Sequence, residues 1–159
     1  MCVDEHDFAA ELCGLECRCD ARDAGASLVT LSTGRAGSAT APYYTRPSQD
    51  FARPGRTWLP TLGRTRVPLW DLVSIWYHEG VPGHHLQLAQ WAYVSSELST
   101  YQTSLGSVGA NVEGWALYAE RLMDELGYLS DPGHRMGYLN AQALRTALDV
   151  TEGDQAVRR

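Results

Sequence analysis

No stretch of the sequence approaches the roughly 20 consecutive apolar residues that a membrane helix requires, so a membrane partner is not expected. Nor is there a long basic run, and the net charge is −6. That balance is a poor electrostatic footprint for nucleic acid. The opening MCVDEHDFAAELCGLECRCD lacks the basic-then-apolar order of a signal peptide, which makes a cytoplasmic location the expectation. Internal repeats are absent. With hydrophobic residues at 44% and charged residues at 20%, the composition argues against disorder and fits a globular chain. The 159 residues suffice for one domain with a modest core.

Cysteine is confined to one segment: Cys2, Cys13, Cys17 and Cys19. With His6 they offer metal-binding chemistry, but C-x3-C-x-C is not a common zinc pattern, which needs two separated pairs. Reduced thiols in a leader are the expectation.

The chain divides into a poorly organised leader and linker over 1–41, a core over 42–148 and a tail over 149–159. Residues 24–41 are small and rich in glycine, serine and threonine, with a short strand expected at 27–31. Residues 43–66 carry three prolines and read as extended or looped chain. From Val67 the pattern becomes helical. Leu69, Leu72, Val73 and Trp76 recur at i, i+3, i+4 and i+7, behind Pro68 at a first turn. A second helix is expected from His84 to about Leu98, and a connection over 99–110. The clearest helix has Val112, Trp115, Ala116, Ala119, Leu122, Met123 and Leu126 on one face and Gly127 as its stop. A fourth starts at Asp131-Pro132, a cap followed by proline, with Met136, Leu139, Ala143 and Ala147 as its stripe. The expected class is mainly α, with an extended N-terminal arm.

The chemistry concentrates in YHEGVPGHHLQ at 77–87. It opens like H-E-x-x-H, yet the position of the second histidine holds Pro82. In an unbroken helix His78 and His84 would be separated by roughly 9 Å of rise and about 120° of rotation, and His78 and His85 by roughly 10.5 Å. Neither pair reaches one zinc, whose nitrogen ligands stand at about 2.0–2.1 Å. Pro82 removes a backbone donor and clashes with the preceding turn, and Gly83 tolerates the dihedrals that follow. A break there brings His84 to the place of the fourth-residue ligand if two residues loop out, or His85 if three do. The smaller loop favours His84. Glu79 follows His78 as the general base does in H-E-x-x-H enzymes. Zinc lowers the pKa of a bound water to about 7, and a neighbouring carboxylate can take its proton. Glu113 is the best candidate for a third ligand. It is placed at the start of the clearest helix, away from the apolar stripe, and Glu120 stands seven residues later on the same side as a supporting partner.

HEGVPGHHLQ at 78–87, EGWALYAERLMDELGY at 113–128 and YYTRPSQDFARPGRTW at 43–58 resemble the bacterial family of unknown function DUF885. The resemblance spans about 43–145. It implies a gluzincin-like relative of the zinc metallopeptidases, with zinc as cofactor, His78, His84 and Glu113 as ligands and Glu79 as base. Gly83-His84-His85-Leu86 also resembles the G-H-x-L of oligopeptidase relatives, which favours His84. Residues 1–41 carry no resemblance. Members of that family are longer, and after Arg145 the family expects a further arginine, an aspartate and a Gly-x-His element. LRTALDVTEGDQAVRR lacks that order, so the chain reads as a truncated core.

The expected function is zinc-dependent hydrolysis of a peptide amide bond, with peptide as partner. Tyr43, Tyr44, Arg53 and Arg56 are candidates to line the substrate channel, and His85 to face substrate or neighbouring packing. The rival is a non-catalytic remnant that keeps a metal or serves as a scaffold.

Overall fold

The computed structural model describes residues 2–4, 28–32, 41–60, 62–64 and 66–157. The chain is mainly helical with small sheets. The strands are β1 (Cys2–Asp4), β2 (Leu28–Ser32), β3 (Tyr43–Thr45), β4 (Arg56–Pro60) and β5 (Arg66–Pro68). The helices are α1 (Leu69–Glu79), α2 (His84–Tyr93), the short α3 (Thr100–Ser104), α4 (Gly109–Glu125) and α5 (Pro132–Val157), with a 3-10 turn at Ser95–Glu97.

β4 is the centre of one sheet, antiparallel to β3 and parallel to β2. Its side chains alternate, with Thr57 and Leu59 turned inward and buried, as the period of two requires. β1 pairs antiparallel with β5. Two segments of the stretch read as a leader, Cys2–Asp4 and Leu28–Ser32, are thus strands paired with the core. The strand expected at 27–31 lies at Leu28–Ser32. The cysteines at 13, 17 and 19 lie outside the described residues.

α1 is the hub. Leu69, Val73, Trp76 and Tyr77 are buried with Leu59 of β4, Leu129 of the connection after α4 and Tyr138 of α5, and Leu72, Ile75 and Met123 pack around them. Burying each large apolar side chain is worth about 1.5–3 kcal/mol, so this cluster is the main anchor of α1. Pro68 ends β5 and precedes α1, with β-region dihedrals. α1 and α5 approach closely because a side chain at Gly137 would run into the Trp70 carbonyl.

Three boundaries differ from the sequence reading. α2 stops at Tyr93 rather than near Leu98, and the expected connection contains α3, closed by a capping box between Ser99 and Gln102. α4 starts at Gly109, before the expected position, and α5 continues through the expected tail to Val157. Gly127 terminates α4 with φ of +84°, and the Asp131 carboxylate accepts the Gly133 and His134 amides.

The faces of two helices also differ. On α5 the expected stripe is outward: Met136 is 63% exposed, Leu139 49%, and Ala143 is exposed. The buried face carries Gly137 and Tyr138. Close approach to α1 selects the face with glycine, whatever the hydrophobic count of the other. On α4 the fully buried positions are Ala116, Ala119 and Glu120, whereas Leu126 is exposed.

Candidate metal centre

α1 ends at Glu79 and α2 begins at His84, with a turn over 80–83 and a cis Val81–Pro82 peptide. The helix is therefore broken, not bulged. The Gly80 amide donates to the Trp76 carbonyl and the His85 amide to the Gly80 carbonyl. Position 83 admits only glycine without displacement, since a Cβ there would overlap the His78 and Tyr77 carbonyls. Trp115 of α4 pins the turn: its indole N–H donates to the Pro82 carbonyl at 2.9 Å and is shared with Gly83 at 3.3 Å. Trp115 stands two residues after Glu113, so one side chain sets the turn against the helix that carries that carboxylate.

The break brings His78 and His84 together, with ring centroids 4.7 Å apart and planes at 84°. His78 Nε2 lies 3.3 Å from one Glu113 oxygen and His84 Nε2 3.5 Å from the other. Two ligands at about 2.05 Å from a tetrahedral ion are separated by about 3.3 Å, so these edges fit one small cation. His78, Glu79 and His84 also offer ligand atoms within 4.8 Å of one another. Both carboxylates thus face the histidine pair. Glu113 supplies the contacts to both Nε2 atoms, while Glu79 Oε2 is buried without a hydrogen-bond partner. That difference favours Glu113 as ligand and leaves Glu79 for proton transfer.

Glu120, with no exposure, holds His78 from behind. His78 Nδ1–H donates to Glu120 Oε1 at 2.7 Å, which fixes the ring with Nε2 toward Glu113. Ser74 and Arg145 also donate to Glu120, and the Gln142 amide approaches at 3.4 Å. Burial alone would raise the Glu120 pKa. The His78 hydrogen bond, Arg145 and Ser74 outweigh it and hold the carboxyl below its ordinary value. Ser74 and Arg145 escaped the sequence reading. Ser74 carries a weak signal, one helical turn before His78, whereas Arg145 is 25 residues from Glu120 and carries none.

Burial pushes the Glu79 carboxyl up to about 7; the charges of Glu113 and Glu120 add to this, and His78 and Arg145 oppose it. Burial, aided by His78, lowers His84 to about 4 and keeps it neutral, with a lone pair to give. His85 is 4% exposed and turned elsewhere: its Nδ1 lies 2.6 Å from the Tyr44 hydroxyl. Burial lowers the His85 pKa and raises that of Tyr44.

A cleft of about 630 Å³ opens over His78, Glu79, His84 and Glu113. Tyr43, Tyr44 and Arg145 are among its lining residues; Arg53 and Arg56 are not. Arg56 lies on β4, 6.0 Å from the Trp58 ring, and Arg53 lines a separate hollow beside Arg46 and Trp91.

A broken helix pair that presents a His–Glu–His cluster on a mainly helical chain defines a protein able to hold a metal ion. The chain belongs to the family described as bacterial protein of unknown function (DUF885), whose model matches residues 20–151. That match starts nearer the N-terminus than residue 43 and includes part of the stretch read as unlike the family. No curated protein matches. Among four solved chains that match is "the crystal structure of the putative lipoprotein from Colwellia psychrerythraea". It is 29% identical, with a TM-score of 0.64 over 86% of this chain, which spans 23% of that one. Among the described residues no helix is long and apolar enough to cross a membrane.

Proposed function

We propose that the chain carries the catalytic centre of a zinc-dependent peptidase of the gluzincin type, which hydrolyses a peptide amide bond. The observation that carries this reading is the convergence of two imidazole nitrogens and one carboxylate at tetrahedral edge distances, 3.3 and 3.5 Å, beside an unpartnered carboxylate. Two histidines and a glutamate with an open fourth position are a catalytic zinc donor set. When bound, zinc would polarise the scissile carbonyl and acidify the attacking water.

The chain's own residues supply the rest. Glu120 fixes the His78 ring and its tautomer, and the low pKa of His84 keeps that ligand unprotonated at neutral pH. Glu79, with its pKa near 7, is suited both to take a proton from water and to return it to the leaving nitrogen. Tyr43 and Tyr44 line the cleft where the peptide would lie.

The test joins zinc stoichiometry of the purified chain to hydrolysis of a mixed peptide library. About one zinc per chain and turnover are expected, with Glu79→Gln keeping the metal and losing turnover. Full zinc without turnover would favour the non-catalytic, metal-binding alternative. No zinc at all would end both.

A further inference from the structure

Asp71, Ile75 and His78 line one wall of the cleft. They stand at i, i+4 and i+7 on α1 and so share one face. Seven residues rise about 10.5 Å, which places the Asp71 carboxylate two turns from the candidate metal ligand. The opposite wall is α5. It runs parallel to α1, with Gly137 against Trp70 at one end and Arg145 beside the Glu120–His78 pair at the other. Ala141 and Leu144 line the cleft between these ends.

Asp71 is half-buried and has no hydrogen bond or ion pair with any described residue. Arg145 is the one cation among the residues lining the cleft, and it pairs with Glu120. The acidic first turn of α1 suits the helix dipole. That accounts for a carboxylate near the helix start but not for its direction into the groove. A partly desolvated carboxylate with no internal counter-charge favours an external cation.

We propose that Asp71 receives a cationic nitrogen of the substrate, either the α-ammonium or a basic side chain, and so sets the position of cleavage. This rests on the peptidase reading of the centre. An extended chain advances about 3.3–3.6 Å per residue, so the rise along α1 places the cation about three residues from the bond at the metal. Ile75 and Leu144 give the intervening residues an apolar bed.

Three peptides of one core sequence test it. One has a free N-terminus three residues from the cleaved bond, one is acetylated there, and one is acetylated but carries lysine at that position. At least one cationic peptide should exceed the acetylated, uncharged one about tenfold in kcat/KM, the scale of one charge-assisted hydrogen bond. The peptide that holds the advantage identifies the source of the nitrogen. In Asp71→Asn the ratio should fall below about twofold, with zinc content retained. Equal rates on all three peptides in the wild type, or an unchanged ratio in Asp71→Asn, would overturn the assignment. Absence of zinc-dependent hydrolysis on every peptide would sink the peptidase reading instead. Calorimetric Kd values for the same peptides on the wild type and Asp71→Asn would then decide the role of Asp71, with the same ratios expected.

Discussion

Replacing Glu120 separates the support of the metal centre from the centre itself. This side chain is fully buried and serves several donors. Oε1 takes the His78 Nδ1–H at 2.7 Å and the Arg145 guanidinium; Oε2 takes the Ser74 hydroxyl. In Glu120→Ala these donors face a void, and Arg145 loses its counter-charge. Removing one partner of a buried ion pair costs about 3–5 kcal/mol. Glu120→Gln keeps the volume. Its amide oxygen can still accept from His78, and its NH2 can face Ser74, whose hydroxyl rotates to accept. The fold should survive with a smaller loss, but the acceptor behind His78 becomes neutral and the ring less basic. Loss of such a supporting contact costs about 10–100-fold in metal affinity. Urea unfolding of the metal-free chain reads the first effect, and competition with a zinc chelator reads the second. Glu120→Ala within about 1 kcal/mol of the wild type would refute the buried network. Glu120→Gln with zinc affinity within about twofold of the wild type would refute its link to the metal.

His84→Ala should lose stoichiometric zinc while His85→Ala retains it, as read by metal analysis after gel filtration; the reverse would move the ligand to His85. In the metal-free chain His84 and Glu79 act in opposite senses on stability. With His84 lowered from 6.5 to about 4, the unfolded chain binds the extra proton between those values, so stability rises with pH across that window. With Glu79 raised from 4.5 to about 7, the folded chain binds the extra proton, and its contribution fades as pH rises through that window. Urea titrations of Glu79→Gln should therefore climb more steeply from pH 4.5 to 6.5 than those of the wild type. Parallel profiles would remove the Glu79 shift. Trp76→Ala should cost about 3–5 kcal/mol by the same assay, since it empties the centre of the α1 cluster.

The sequence alone determined the features that local backbone chemistry controls. Pro82 and Gly83 break the helix after His78, Gly127 stops α4, and Asp131 caps α5, because each acts on its own few residues. The break by itself left either His84 or His85 to stand beside His78; the folded turn sets His84 there and turns His85 to Tyr44. What needed the tertiary structure was every choice between two faces. Met136 and Leu139 make the better apolar stripe on α5, yet Gly137 permits the close approach to α1 and so takes the buried side. Glu120 reads as a supporting partner seven residues after Glu113, but its full burial and its other partners, Ser74 and Arg145, come from α1 and α5. Trp115 reads as core, but its indole N–H holds the turn that aligns His84 with Glu113. Periodicity ranks the faces of an isolated helix; only backbone approach and the pairing of buried charge, set by residues far apart in the chain, decide which face is used.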